Sequence, residues 1–190
     1  MEMLQAATIR SSILEGESAL AQTLWMLAFA AATAAGAQIE IPHQPVPYTL
    51  QTFFVLLAGA LLGKRNGALS QLIYLAAGAA GLPVFSHWGY GLARLAGPTG
   101  GYLIGFPIAA FVVGYLVQRN RSILWTAISM TVGLVALFSL GTLQLFVFFD
   151  HDLADAFRNG FLIFSLWDML KLGAAVLVRR SLLQRLPGQP

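Results

Sequence analysis

Five stretches of this chain, residues 18–39, 41–63, 66–93, 95–118 and 122–149, contain no Asp, Glu, Lys or Arg. Each is long enough to hold a helix crossing a hydrocarbon core of ~30 Å, which takes about 20 apolar residues. A soluble domain of 190 residues has no use for so many. With 57% hydrophobic and 10% charged residues, the sequence reads as an integral membrane protein embedded in the lipid bilayer. Its net charge of +3 rests on eleven basic residues scattered over short connections. That distribution orients a membrane protein, and no DNA- or RNA-binding motif accompanies it, so nucleic acid is not an expected partner. There is no cysteine, hence no disulfide framework or thiolate metal site. The first apolar stretch ends in Ala35-Gly36-Ala37, like a cleaved leader, but Glu15 and Glu17 outweigh Arg10 before it and the run is longer than an ordinary leader core. It is expected to stay as a span.

The pattern predicts six transmembrane helices near residues 18–38, 49–63, 66–80, 99–119, 122–148 and 160–180. No linker divides them. Residues 1–190 are therefore expected to form a single all-α membrane domain: 1–17 as a cytoplasmic or interfacial segment, 18–180 as the bundle, 181–190 as a tail. Lys64, Arg65, Arg119, Arg121, Arg179, Arg180 and Arg185 then share a side with Arg10, and only Arg94 and Arg158 lie opposite. Eight against two, with Lys171 set aside as intramembrane, predicts that both termini are cytoplasmic. The second and third helices are short, at ~22 Å each, and need shelter from protein or a thinned bilayer. Gly63, Asn66 and Gly67 around Lys64-Arg65 predict a tight turn between them, and Gly81-Leu82-Pro83 a stop after the third.

Three outer loops follow. "IEIPHQPVPYT" carries prolines at 42, 45 and 47, which deny it helix; "GLPVFSHWGYGLARLAGPTGG" is long, aromatic and glycine-rich; "FFDHDLADAFRNG" is acidic. The first two are expected to fold back as a lid, with an aromatic interface belt as the alternative for Trp88 and Tyr90. Beneath them, Asp168 and Lys171 lie three residues apart on one face of the last helix, ~12 and ~17 Å from an entry near Gly160. Either they form a self-neutralising pair that pins helix packing, or they line a polar cavity where they offer an acceptor and a donor to a ligand with adjacent N–H and C=O groups. Arg94 is the sole basic residue of the long loop and suits a carboxylate. Gly97, Pro98, Gly100 and Gly101 allow close backbone approach to a ligand, and Thr99 is placed to N-cap the fourth helix.

Other chemistry has less support. His43, His87 and His151 all lie in outer loops, with Asp150 and Asp152 beside the last, so a divalent-metal or hydrolytic site is the alternative reading; no ligand spacing or nucleophile elbow supports it. Ser86 and His87 are adjacent in sequence rather than placed as nucleophile and base. "GALLGKRN" misses the phosphate-loop pattern by one residue between its glycines and by Arg65 where a hydroxyl should hold magnesium, so the chain is not expected to hydrolyse ATP. "LAFAAATAAGA" puts Ala28 with Ala32, and Ala31 with Ala35, at the spacing that lets helices approach closely, whether within the bundle or with a partner.

"AQIEIPHQPVPYTLQTF", "GALSQLIYLAAGAAGLPVF", "AGPTGGYLIGFPIAAF" and "DMLKLGAA", in this order over most of residues 28–176, together resemble BioY, the biotin-specific substrate-binding component of energy-coupling factor (ECF) transporters. The resemblance implies a six-helix, multi-pass protein of a bacterial-type cytoplasmic (inner) membrane that captures biotin as its transported ligand, with no cofactor and no enzymatic activity. It implies a cavity near the outer face, formed by the first outer loop, the long loop after the third helix and the last three helices. It also implies work with a transmembrane coupling protein and two ATP-hydrolysing subunits, the coupling protein meeting Ala28 and Ala32. The family's acid and amine map onto Asp168 and Lys171, which would meet the ureido N–H groups and carbonyl. Phe85, Trp88 or Tyr102 would pack on the sulfur ring, Arg94 would take the valerate, and Gln51, Thr99 and Gly100 are further contacts. Ser86 and His87 are two more candidate contacts, and near them the loop departs from the Asn or small polar residue usual in the family.

Overall fold

A computed structural model describes residues 14, 17–120, 122–162 and 166–184. Most of the expected N-terminal segment, the basic residues Arg10, Arg121 and Arg185, and the end of the tail lie outside them. Helix α1 (Ala19–Gln38) starts where the Ser18 side chain accepts the Ala21 N–H at 3.2 Å, and it ends as Ile39 turns extended. Its buried residues, Phe29, Ala30, Thr33, Gly36 and Ala37, recur at helical spacing and face the next helix. Two short antiparallel strands follow, β1 (Glu40–Ile41) and β2 (Tyr48–Thr49), with Glu40 opposite Thr49. The three prolines occupy the connection between them. The protein is thus mostly helical rather than purely α.

Helix α2 (Gln51–Ala79) is two helical arms that meet in the tight turn expected near Lys64-Arg65. The chain reverses at the single residue Gly63, whose φ of +80° and ψ of 177° suit glycine alone, and helix resumes at once through Lys64 and Arg65. The two arms run antiparallel. Gly67 packs so closely on Ala58 and Gly59 that an added Cβ would sit 2.8 Å from backbone atoms, and Gln51 at one end reaches Tyr74 in the other arm. This hairpin is the centre of the molecule, with α1 against it and α4 (Gly100–Val117) on another side. Gly59 lets α4 approach until a Cβ there would lie 2.3 Å from the Ala110 carbonyl oxygen.

After α2 come a 3-10 turn (Ser86–Trp88) and the short helix α3 (Leu92–Ala96). Past α4, Ser122 caps α5 (Ile123–Phe148) by accepting the Trp125 N–H at 3.1 Å. The acidic third loop contains a helix of its own, α6 (Leu153–Gly160), capped by Asp152. In consequence α7 (Leu166–Gln184) begins several residues later than expected and continues past residue 180. By length and apolarity three of the described helices, α1, α4 and α5, suffice to cross a membrane. The arms of α2 are each too short to do so alone, and α7 carries four charged residues.

Apolar side chains face outward all around the bundle, among them Leu20, Leu124, Leu143 and Leu177, each more than 60% exposed. Lipid, not water, suits such a surface. The interior is closed by Val55, Leu56, Ala60, Met130, Leu134 and Leu137. One charge departs from its expected place: Arg179, counted among the cytoplasmic loop charges, is buried, its Nε donating to the Ala60 carbonyl at 3.1 Å and its Nη1 to the Thr126 hydroxyl at 2.9 Å. It fastens α7 to α2 and α5 instead of marking an interface.

Candidate functional site

Beneath the loops that connect the outer helix ends lies a cavity with about 640 Å³ of space not filled by protein, part of it open to solvent. Its wall combines the β2 strand region, the start of α2, Phe85 and Ser86, Arg94 and Thr99, inward residues of α4 and α5, and Asp168 and Lys171 of α7. Phe85, Phe106, Leu137 and Phe138 make it largely apolar.

Asp168 and Lys171 are 3% and 5% exposed, and the Lys171 ammonium lies 2.6 Å from the Asp168 carboxylate. Asp168 sits in the first turn of α7, nearer the helix start than expected. Both sequence alternatives hold in part: the two do pair, and they also face a cavity. Lys171 further donates to the Thr49 carbonyl at 3.0 Å and the Thr52 hydroxyl at 2.7 Å. An ammonium has three donors, so protein takes all of them, and a ligand carbonyl at Lys171 would have to displace one.

Gln51 lines the cavity but is similarly engaged. Its amide donates to the Tyr74 hydroxyl at 2.6 Å and accepts from the Thr49 hydroxyl at 2.9 Å, while Tyr74 donates on to the Val84 carbonyl at 3.2 Å. The chain of bonds ties the two arms of α2 to β2 and to the loop that carries Phe85. Tyr102 donates to the Gly160 carbonyl at 2.8 Å, joining α4 to α6, and its ring stands edge-on to Phe138. Thr99 lines the cavity without capping α4 through its side chain.

The roof is held by the outer end of α1. Gln38 donates to the Phe85 carbonyl at 3.0 Å and accepts the Trp88 N–H at 3.2 Å, and Glu40 meets the His87 ring at 3.0 Å. His87 and Trp88 both take left-handed backbone conformations, with φ near 55°, which non-glycine residues adopt at a cost of ~1–3 kcal/mol. Trp88 is 67% exposed and lies outside the cavity lining, as does Gly100, whose missing side chain instead lets α4 pack on the Leu95 carbonyl. Arg94, half-buried at the mouth, lies flat on Gly89, where an added Cβ would be 2.6 Å from its Nε.

His87 faces a second, outer space together with His43, whereas His151 packs on Phe146 at the end of α5. Among the described residues no three His, Asp or Glu side chains gather as metal ligands. On α1, Ala28 is exposed and Ala32 half-buried, so the small-residue stripe lies along the edge of the outward face. The sequence reading missed Thr49, Thr52, Leu137 and Phe138. The two threonines, three residues apart beside Gln51, carried a weak polar signal, and the α5 pair carried none.

Comparison with known proteins places this geometry. Residues 7–188 match the profile of the BioY family. The biotin transporter BioY of Thermotoga maritima is 44% identical over 150 residues, which is 79% of this chain and 88% of that protein. The probable biotin transporter BioY of Pyrococcus horikoshii is 43% identical over 154 residues, 81% of this chain and 91% of its own. A crystal structure of the S-component for biotin from an ECF-type ABC transporter matches with a TM-score of 0.80 at 25% identity, covering 89% of this chain and 93% of that one. The chain belongs to the BioY family.

Proposed function

We propose that this chain is the biotin-capturing subunit of an ECF-type transporter, a binding and transport component and not an enzyme. The observation that carries the reading is the charge balance of the cavity. Asp168 and Lys171 cancel, and Arg94 leaves one positive charge over an otherwise uncharged, largely apolar wall. A monoanion with a neutral polar head fits that arrangement, and biotin is one. The ureido N–H groups would donate to the Asp168 carboxylate, an acceptor with two oxygens. Lys171 would hold that carboxylate in place, and the bicyclic ring would pack among Phe85, Tyr102 and Phe138. The valerate would meet the guanidinium of Arg94, which offers paired donors.

Six spans fit the fold if the arms of α2 count as two, both sheltered by neighbours, with the Gly63 turn and both termini on the cytoplasmic side of a bacterial inner membrane. Energy would come from a transmembrane coupling protein and two ATP-hydrolysing subunits, the first docking on α1 near Ala28 and Ala32. Titration of the detergent-solubilised protein with biotin tests the site. Removing a hydrogen bond to a charged group costs ~1.5–3 kcal/mol, so Asp168→Asn and Arg94→Ala should each weaken binding about 10- to 150-fold. Unchanged affinity in both would end the assignment.

A further inference from the structure

The cavity is not the last space on the route to the surface. Outside it lies a second one, with about 570 Å³ free of protein atoms and partly open to solvent. Pro47, Ser86, Arg94 and Thr99 line both, so the two spaces adjoin, with Arg94 between them. The outer chamber adds His43 and Gln44 from the first loop and His87 from the roof turn. Among the described residues no Asp or Glu lines it, and Glu40 is turned to His87. Its lining is therefore rich in donors and poor in negative charge, the reverse of what would repel a second anionic group.

A ligand held with its ring in the inner chamber and its carboxyl at Arg94 has its reactive end pointing into this outer space. Nothing at Arg94 requires that the carboxyl be free. An amide carbonyl in its place still accepts from the guanidinium, and a chain beyond the amide would run out between His43 and His87. We propose that the outer chamber is a second subsite that admits biotin extended through its carboxyl by an amide to a primary amine, the form of biotin released when biotinylated protein is degraded to its lysine conjugate. The inference rests on the biotin reading of the inner cavity. The α-carboxylate of such a conjugate gives the donor-rich lining at Arg94, His43 and His87 an acceptor that a plain alkyl amide lacks, while its α-ammonium is left to the side open to solvent.

Three probes on the purified, detergent-solubilised full chain test it: biotin, biotinyl-ε-lysine, and the neutral pentylamide of biotin. Biotinyl-ε-lysine should bind within 30-fold of biotin, and the pentylamide more weakly than the lysine conjugate. His43→Trp, which narrows the outer chamber at an exposed loop residue that does not itself line the inner cavity, should weaken the lysine conjugate at least 10-fold relative to biotin. The unaltered biotin titration of that variant reports that it is folded; should it fail to bind biotin, the order of the three probes on the native chain decides. Binding of biotin with a loss of more than 30-fold for the lysine conjugate, or no difference between conjugate and pentylamide, overturns the subsite while leaving the biotin reading intact. Failure of biotin itself overturns both.

Discussion

The ammonium of Lys171 and the carboxylate of Asp168 are worth more for what each prevents in the other than for net attraction. Taking either charge out of water costs several kcal/mol, and their contact largely offsets that cost without yielding a surplus. Removal of one partner strands the other, so Lys171→Met should destabilise the protein by ~3–5 kcal/mol. Asp168→Asn combined with Lys171→Met should recover most of that loss, because no buried charge remains. Apparent melting temperatures of the single and double variants in detergent check the order, and a double variant less stable than Lys171→Met would contradict it. Arg94 supplies a second case at this scale. Gly89 has an ordinary φ of −66°, so Ala there brings no backbone strain, only a Cβ that must push the guanidinium aside. Gly89→Ala should therefore weaken biotin binding about 5- to 30-fold, the ~1–2 kcal/mol of a misaligned charged hydrogen bond, with little change in melting temperature. These residues were legible in the sequence because a charge in an apolar run demands a reason. Thr49 and Thr52 were far less so: their bonds to Lys171 join positions 122 and 119 apart, and no local pattern encodes a contact of that range.

Elements were readable where one physical rule dominated. Helix α1 follows from its uncharged run and the Ser18 cap, and it matches expectation to within a residue at its start. The tight reversal was legible from Gly63, Asn66 and Gly67 around Lys64-Arg65, and the structure compresses it to the single non-helical residue Gly63. Helix α6 was missed because it is short and mixes Asp155, Arg158 and Asn159 with its apolar side, which reads as a solvated loop until Ala156 and Gly160 are seen to pack against α5. That error displaced the start of α7 and with it the depth assigned to Asp168. The roof turn makes its own prediction. Two successive left-handed residues persist only when their surroundings hold them, and here Gln38 and Glu40 do so from the end of α1 and from β1. Glu40→Gln keeps the shape and removes the charge from the contact with His87. At ~0.5–1.5 kcal/mol for such a bond, biotin should leave about 2- to 10-fold faster, while its association rate stays nearly constant. Stopped-flow release from the pre-loaded protein reads this directly, and an unaltered off-rate would show that the roof does not depend on Glu40.

For the molecule as a whole, the α2 hairpin is the fixed body and α1 and α7 are fastened to it by different means. Two buried cations tie α7, Lys171 to Thr52 at the start of α2 and Arg179 to Ala60 farther along the same arm. Helix α1 is held through close packing, with Gly36 against Phe54 and the Thr33 hydroxyl donating to Gln71, and its last turn reaches up to the roof. The outward side of α1, from Leu20 and Leu24 to Ala28 and Ala31, contributes nothing to the cavity. Small side chains on such a face let another helix approach closely, and in lipid close packing is the main source of association free energy. If this face is the dock for the coupling protein, bulk on it should uncouple assembly from capture. Ala28→Trp with Ala32→Trp should abolish copurification with the ATPase-bearing module and biotin uptake by cells. Biotin titration of the isolated chain should be unaffected, because neither position touches the wall of the cavity. Loss of biotin binding in that variant would mean that α1 shapes the site through Gln38 and Glu40 more tightly than its packing on α2 suggests; intact copurification would place the dock on another face of the bundle.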